Sequence, residues 1–158
     1  MQQDEQYPSR KHPVHFTPLE RHNAPILLHV TVCTKPRRKI LANESVHTIL
    51  RNTWEEASAW RIGYYLIMPD HIHLFCAPGY SGRFRIKTWV TYWRRLCARR
   101  DSALKGIWQE DCWDTQIRNQ QHYARKLDYV AHNPVRHGLV EYSQDWEYQG
   151  RLCQLDWI

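Results

Sequence analysis

The chain has 158 residues, 42% of them hydrophobic and 24% charged, which is enough for one domain with a single core. Its net charge of +6 and pI near 9.2 favour a polyanionic partner such as nucleic acid. The sequence has no apolar run near the roughly 20 residues of a membrane span, no secretory signal, and no C-x-x-C pair among its five cysteines. We therefore expect a cytoplasmic protein with free thiols and no membrane partner.

The first half of the chain predicts three strands and one helix. Residues 1–24 are polar and show no period, which predicts a flexible arm. An alternating, β-branched segment over 26–33 predicts the first strand, and a basic loop follows it. Asn43 is a candidate N-cap for a helix with one apolar face. A second strand is predicted over 62–68, and a tight turn leads from it into a third strand that begins at His71.

The second half predicts two helices and a further strand. Apolar residues at intervals of three and four predict a helix from about 83 to 100, with arginines on its flanks. Residues 107–117 predict a strand with a loop, and Asn119 caps a last helix over 120–132. The order β-α-β-β-α-β plus one helix predicts an α+β fold, namely a ferredoxin-like antiparallel sheet with an additional C-terminal helix that carries a tyrosine.

The predicted third strand carries two histidines at alternate positions, His71 and His73. Alternate side chains of a strand leave the same face, so the two imidazoles stand side by side, about 6–7 Å apart at Cα. Two neutral imidazoles held in this way can bind one divalent metal ion. The alternative is a chance pair of polar residues on a half-exposed strand.

One tyrosine of the last predicted helix lies off the apolar stripe of that helix. At 100° per residue, the stripe consists of Tyr123, Ala124, Leu127, Val130 and Ala131. Tyr129 falls about 200° away on the same wheel, with Arg125 one turn before it and Asn133 one turn after it. A phenol between an arginine and a metal-binding amide is suited to attack on a phosphodiester. The alternative is an ordinary surface tyrosine.

Two motifs, taken together, resemble those of the single-tyrosine HUH transposases, most closely the REP-associated branch. The first is Met-Pro-Asp-His-Ile-His-Leu over 68–74, where HUH denotes His-hydrophobic-His. The second is Asp-Tyr-Val-Ala-His-Asn-Pro-Val-Arg-His-Gly-Leu-Val over 128–140, which is similar to the tyrosine helix of the family and its Asn-Pro-Val end. The similarity spans roughly residues 26–150, and the two motifs at this separation are far more specific than either motif alone.

The resemblance implies an enzyme that breaks and rejoins single-stranded DNA beside REP-like hairpins through a 5′-phosphotyrosine intermediate. It implies Tyr129 as the nucleophile, His71 and His73 as metal ligands, and Asn133 as the third ligand. The implied ion is Mg²⁺ or Mn²⁺. Members of the wider group work as monomers or homodimers, and a nucleoid-associated location would follow from the substrate.

The chain divides into an arm over 1–24, an HUH domain over 25–140 and a C-terminal extension over 141–158 that packs on the domain. Candidate contacts to DNA phosphates come from basic residues, because guanidinium groups pair with phosphate oxygens. These candidates are Arg37, Arg38, Arg94, Arg95, Arg99 and Arg125. The eight tryptophans are either core residues, which we favour, or stacking platforms for unstacked bases.

Three alternatives stay open. Because a residue before proline is pushed out of helical geometry, His132 is a rival to Asn133 as the third ligand. A non-catalytic single-stranded nucleic-acid-binding protein of ferredoxin-like fold would explain the charge and the aromatic residues, but not the histidine pair together with Tyr129. A zinc hydrolase using the two histidines and Cys76 would lack an H-x-E or P-C-x-x-C setting, and Cys76 points to the opposite face of the strand.

Overall fold

The computed structural model describes residues 13–19, 25–79 and 84–155, which form a five-stranded antiparallel sheet with α-helices on both faces. The elements are β1 (Leu28–Cys33), α1 (Glu44–Glu56), β2 (Trp60–Ile67), β3 (His71–Pro78), α2 (Ile86–Arg100), β4 (Trp113–Gln116), α3 (Gln120–Ala131), α4 (Asn133–Arg136) and β5 (Gln149–Arg151). Short 3₁₀ turns cover Ser102–Leu104 and Ser143–Asp145. The strand order is β4-β1-β3-β2-β5. The predicted α+β class and antiparallel sheet are confirmed.

The first face of the sheet is apolar and carries α1 and α2. In the β1–β3 ladder, Val30 lies opposite Leu74 and Val32 opposite Ile72, and all four side chains are buried. Directly opposed residues of an antiparallel pair point to the same face. This face packs against the buried stripes of the two helices, which include Trp54 and Trp93.

The second face of the sheet carries α3, for which the sequence specified no position. Phe75 of β3 packs edge-on against Tyr123 of α3, with ring centroids 5.4 Å apart. Val130 of α3 is buried in the same cluster, together with Leu66 of β2. A second, smaller core therefore holds the tyrosine-bearing helix against the face opposite α1 and α2.

Both predicted asparagine caps are confirmed. The Asn43 side chain accepts a hydrogen bond from the Val46 amide at 3.0 Å, and the Asn119 side chain accepts one from the His122 amide at 2.8 Å. The predicted apolar stripe of α3 is confirmed at Tyr123 and Val130, whereas Ala124 is exposed. His122 is buried instead, and its Nδ1 accepts a hydrogen bond from the Arg118 amide at 3.0 Å, which limits the cost of burying this nitrogen.

The tryptophans are mostly core residues, as we favoured. The buried ones are Trp54, Trp60, Trp89, Trp93 and Trp108. Trp93 makes edge-to-face contacts with three others, at centroid distances of 5.6 to 6.3 Å. Within the described ranges, no helix is both long enough and apolar enough to span a bilayer.

Two peripheral segments add to the sheet in ways the sequence did not predict. Strand β5 pairs with β2, and Gly150 lies so close to Tyr65 that an added Cβ would be 2.7 Å from its hydroxyl oxygen. Residues 13–19 of the predicted arm lie along β4, where the Leu19 amide donates to the Gln116 side chain at 2.8 Å. Residues 1–12 and 20–24 lie outside the described part of the chain, so the arm and the domain boundaries stay predictions.

We predict that Phe75→Ala destabilises the protein strongly. Phe75 is fully buried between α3 and the sheet, so its loss leaves a cavity and should lower the free energy of unfolding by about 3–5 kcal/mol. Urea denaturation measures this. Phe84→Ala is the matched control, since Phe84 is 51% exposed, and it should cost at most about 0.5 kcal/mol. Equal losses in the two variants would contradict the second core.

Candidate functional site

The two histidines of β3 stand side by side on the face that carries α3. Both are buried, and their ring centroids are 4.9 Å apart with the planes nearly perpendicular. In the sheet register His71 lies opposite Cys33, and His73 opposite Thr31. The predicted alternation is confirmed, because Ile72 and Leu74 point into the core on the other face.

Asn133 meets the histidines from the helical side. Its amide nitrogen Nδ2 lies 2.9 Å from Nε2 of His73, and the residue is buried. Its Oδ1 is buried with no hydrogen-bond partner within the described part of the chain. A buried carbonyl oxygen without a partner is costly, and a metal ion is one way to satisfy it. Amide O and N exchange places on a rotation of the group, so either atom can face His73.

A break between α3 and α4 brings Asn133 to this position. Helix α3 ends at Ala131, and α4 begins at Asn133 with Pro134 in its first turn, where the missing amide proton costs nothing. His132, between them, keeps helical angles of φ −82° and ψ −3°. Although proline restricts the residue before it, Asn133 is the first residue of α4 and its side chain reaches His73.

His132, the rival third ligand, points elsewhere. Its side chain is exposed, and its Nδ1 lies 2.9 Å from the backbone carbonyl oxygen of Asp128. The same nitrogen lies 3.3 Å from the Asp128 carboxylate, one turn earlier on α3. The geometry therefore favours Asn133 as the residue that faces the histidine pair.

The Nδ1 atom of each histidine is held by a neighbour. Nδ1 of His71 donates to the Asp70 carboxylate at 2.7 Å, and Arg37 Nε donates to the other oxygen of Asp70 at 3.0 Å. Nδ1 of His73 lies 2.9 Å from Nε2 of His29. Histidines that bind metals usually have their second nitrogen fixed in this way. Nε2 of both rings is therefore the nitrogen available for an ion.

Burial keeps the histidines neutral, which is the form that binds metals. Burial lowers the pKa of His73 well below its usual value, and the nearby His29, His71 and Arg136 lower it further. Burial also lowers the pKa of His71, although the hydrogen bond to Asp70 opposes this shift. Two neutral imidazoles and an amide oxygen form a donor set that fits one divalent cation.

Tyr129 lies on the last turns of α3, four residues before Asn133, and its side chain is 60% exposed. The guanidinium carbon of Arg136 lies 3.8 Å from the centroid of the Tyr129 ring, which is a close cation–π contact. From the sequence we predict Arg125 as the neighbour of this tyrosine, whereas the structure places Arg136 on its ring. Residue Arg136 lies seven positions after Tyr129, two helical turns along the chain.

Comparison with known proteins gives one consistent result. No family model matches the chain. It is 38% identical to a Haemophilus influenzae protein named as a candidate REP-associated tyrosine transposase. The matched region of 96 residues covers 52% of this chain and 53% of that protein. Over 92 residues it is 32% identical to the REP-associated tyrosine transposase of Escherichia coli, covering 56% of this chain and 53% of that protein. The chain thus spans about half the length of the curated relatives it matches.

A solved structure of a REP-associated tyrosine transposase bound to a REP hairpin has a similar fold. The TM-score is 0.68, with 85% of this chain and 82% of that chain covered, at 24% sequence identity. The resemblance to REP-associated tyrosine transposases is confirmed. At this identity the solved structure supports the fold alone.

The arginines predicted to contact DNA are spread over two faces of the sheet. Arg37 has a positive φ of 64° and pairs with Asp70 beside His71, so it lies at the site. Arg38 and Arg125 are exposed. Arg94 packs over Trp108 at 5.5 Å from the ring centroid, and burial lowers its pKa. The exposed residues Arg95 and Arg99 lie on α2, across the sheet from the histidines.

A second group of possible metal ligands lies at the β4 edge. It consists of His15, Asp111 and Cys112. Nε2 of His15 lies 2.6 Å from Asp111, and Nδ1 bonds to Asp114. Burial lowers the pKa of His15, but the hydrogen bonds and charges of the two carboxylates outweigh this and raise it above its usual value. An imidazolium between two carboxylates accounts for the cluster without a metal ion.

We predict that segment 13–19 detaches from β4 as the pH rises. Because the folded pKa of His15 is raised, its ion pairs stabilise the docked segment below the unfolded value of 6.5 and are lost as the pH rises through the folded pKa. Amide exchange at Leu19, corrected for its intrinsic pH dependence, reports the docking. His15→Gln should remove the pH dependence. Wild-type protection that does not change between about pH 5.5 and 8.5 would contradict the assignment.

Proposed function

We propose that the chain is a metal-dependent HUH transposase that cleaves and rejoins single-stranded DNA next to REP-like hairpins through Tyr129. The observation that carries the proposal is the 2.9 Å approach of the Asn133 amide to Nε2 of His73. It joins two motifs that lie 60 residues apart in the chain. A ligand set and a tyrosine one helical turn away are the two parts that metal-assisted phosphodiester attack requires.

The proposed substrate and setting follow from the charge and from the relatives. A net charge of +6 suits a polyanion, and the solved protein of similar fold was bound to a REP hairpin. We propose that the sheet and α1 and α2 form a ferredoxin-like scaffold for the HUH domain. The enzyme would act in the cytoplasm at the nucleoid, as a monomer or a homodimer.

The chemical step is an in-line displacement at phosphorus. The Tyr129 oxygen forms a bond to the phosphorus atom while the bond from phosphorus to the 3′ oxygen breaks. The phenolic proton leaves and the 3′ oxygen gains a proton, giving a 5′-phosphotyrosine and a free 3′-OH. Attack by the 3′-OH of another strand reverses the step and restores Tyr129. The phosphodiester energy is conserved in the covalent link, so no nucleotide cofactor is needed.

The chain's own residues position the reactants. His71, His73 and Asn133 would hold the Mg²⁺ or Mn²⁺ ion, which when bound withdraws charge from the phosphate oxygens. A free phenol ionises near pH 10, so only about 0.1% is phenolate at pH 7. Arg136, stacked on the Tyr129 ring at 3.8 Å, would favour the negative charge that develops on the phenol as its proton leaves.

We predict that Tyr129→Phe abolishes strand cleavage. The variant lacks the oxygen that attacks phosphorus, so a hairpin oligonucleotide with Mn²⁺ should give no covalent adduct on a denaturing gel. Tyr142→Phe is the matched control, because Tyr142 is likewise exposed, at 55%, and follows α4 in the chain. Wild-type protein that binds the hairpin without any adduct would instead support the non-catalytic binding protein.

We predict that Asn133 and not His132 contributes to metal affinity. Asn133→Ala removes the amide oxygen and should weaken Mn²⁺ binding in calorimetry by at least the roughly 10- to 100-fold that is typical when a partner outside the ligand shell is lost. Asn133→Asp keeps an oxygen ligand and should retain binding. His132→Ala, which alters the adjacent exposed imidazole, should change little. The reverse order of effects would make His132 the ligand.

A further inference from the structure

A third histidine, on a different strand, lies directly behind the histidine pair. His29 of β1 is opposite Phe75 in the β1–β3 ladder and shares a face with His73. Its ring is nearly parallel to both of those rings, with centroids 5.1 Å from His73 and 4.9 Å from Phe75. These neighbours hold the plane of the His29 ring, so the direction of its nitrogens is set by the sheet and not by solvent.

The hydrogen bond between His29 and His73 determines which nitrogen of His73 carries a proton. A neutral imidazole has one donor and one acceptor nitrogen. Nε2 of His29 lies 2.9 Å from Nδ1 of His73, and the Thr31 hydroxyl oxygen lies 3.3 Å from the same Nδ1. When His73 donates from Nδ1, both neighbours can accept. The lone pair of His73 is then on Nε2.

The contact with Asn133 is compatible with this assignment. When Nδ2 faces Nε2 of His73 at 2.9 Å, the amide NH₂ donates, Nε2 accepts and Nδ1 carries the proton. Because the rotated amide presents Oδ1 instead, the assignment rests on the contacts of Nδ1 with His29 and Thr31. In the opposite arrangement, His29 would donate to Nδ1 of His73, and a proton on Nε2 would occupy the position where an ion has to bind.

We propose that His29 is a positioning residue: its Nε2 accepts the Nδ1 proton of His73 and so holds the Nε2 lone pair of His73 toward Asn133, ready for a divalent ion. The inference rests on the proposed metal site. It adds a residue from β1 to a site otherwise built from β3 and the α3–α4 break. His71 is held by Asp70 in the corresponding way, so each ligand has its own fixed tautomer.

The first test measures the tautomer of His73 in the metal-free wild-type protein. Long-range ¹H–¹⁵N spectra of the histidine side chains near neutral pH distinguish a proton on Nδ1 from one on Nε2. The His73 signals are assigned by their absence from His73→Gln. The proposal requires His73 to carry its proton on Nδ1. A proton on Nε2 of His73 overturns it, whatever the variants show.

The second test compares two substitutions of His29. Gln keeps an acceptor oxygen near the position of imidazole Nε2, so His29→Gln should retain the His73 tautomer and bind Mn²⁺ about as tightly as wild type. Leu has no acceptor, so His29→Leu should give a mixture of tautomers. It should also weaken Mn²⁺ binding by roughly 10- to 100-fold in calorimetry. Wild-type affinity and tautomer in His29→Leu would refute the proposal.

A matched control separates positioning from general stability. His47 of α1 is likewise partly buried and hydrogen-bonded, with its Nε2 2.8 Å from the Tyr65 hydroxyl, but it packs on the other face of the sheet. His47→Leu should leave the affinity for Mn²⁺ unchanged, and an equal loss there would overturn the role of His29. Mn²⁺ binding and the Tyr129 adduct in wild type test the proposed function separately, so the two can fail independently.

Discussion

The pairing of β1 with β3 in a single register is the constraint on which the rest of the structure depends. Because side chains alternate along both strands, that register places Val30 and Leu74 on one face, and His73 and Thr31 on the other. A slip of β3 by one residue would bury its two imidazoles under α1 and α2 and turn Leu74 toward α3. The large apolar core on the first face therefore fixes the polar arrangement on the second.

The two faces of the sheet consequently differ in composition. The layer of α1 and α2 is filled with large apolar side chains, whereas α3 rests on a smaller cluster around Phe75 and leaves one end of the face to polar groups. Burial there disfavours positive charge, so the imidazoles stay neutral, and burial lowers the pKa of His29 to about 3. Their nitrogens are paired with one another, with Asp70 and with Asn133, which limits the cost of burying them.

Much of this could be predicted from local patterns, because those patterns are set by near neighbours in the chain. The alternation of apolar and polar residues correctly predicted which side chains of β3 lie on each face of the sheet. Asn43 and Asn119 cap their helices as expected. The position of Tyr129 off the apolar stripe of α3 agrees with its exposure. Other features had no local signal. β5 is three residues long, and its pairing with β2 depends on the close approach of Gly150 to Tyr65. The contact of Arg136 with Tyr129 depends on the path of the chain past Pro134.

The sequence by itself determined which residue types make up the candidate site: paired imidazoles on a strand, a phenol off the stripe of a late helix, and an amide one turn beyond it. It could do so because periods of two and about 3.6 residues are properties of the backbone alone. Only the tertiary structure decided that Asn133 and not His132 faces His73, that His29 lies behind the pair, and that the arginines of α2 lie across the sheet. These are relations between segments far apart in the chain, and they depend on strand register and on the side of the sheet that each helix covers.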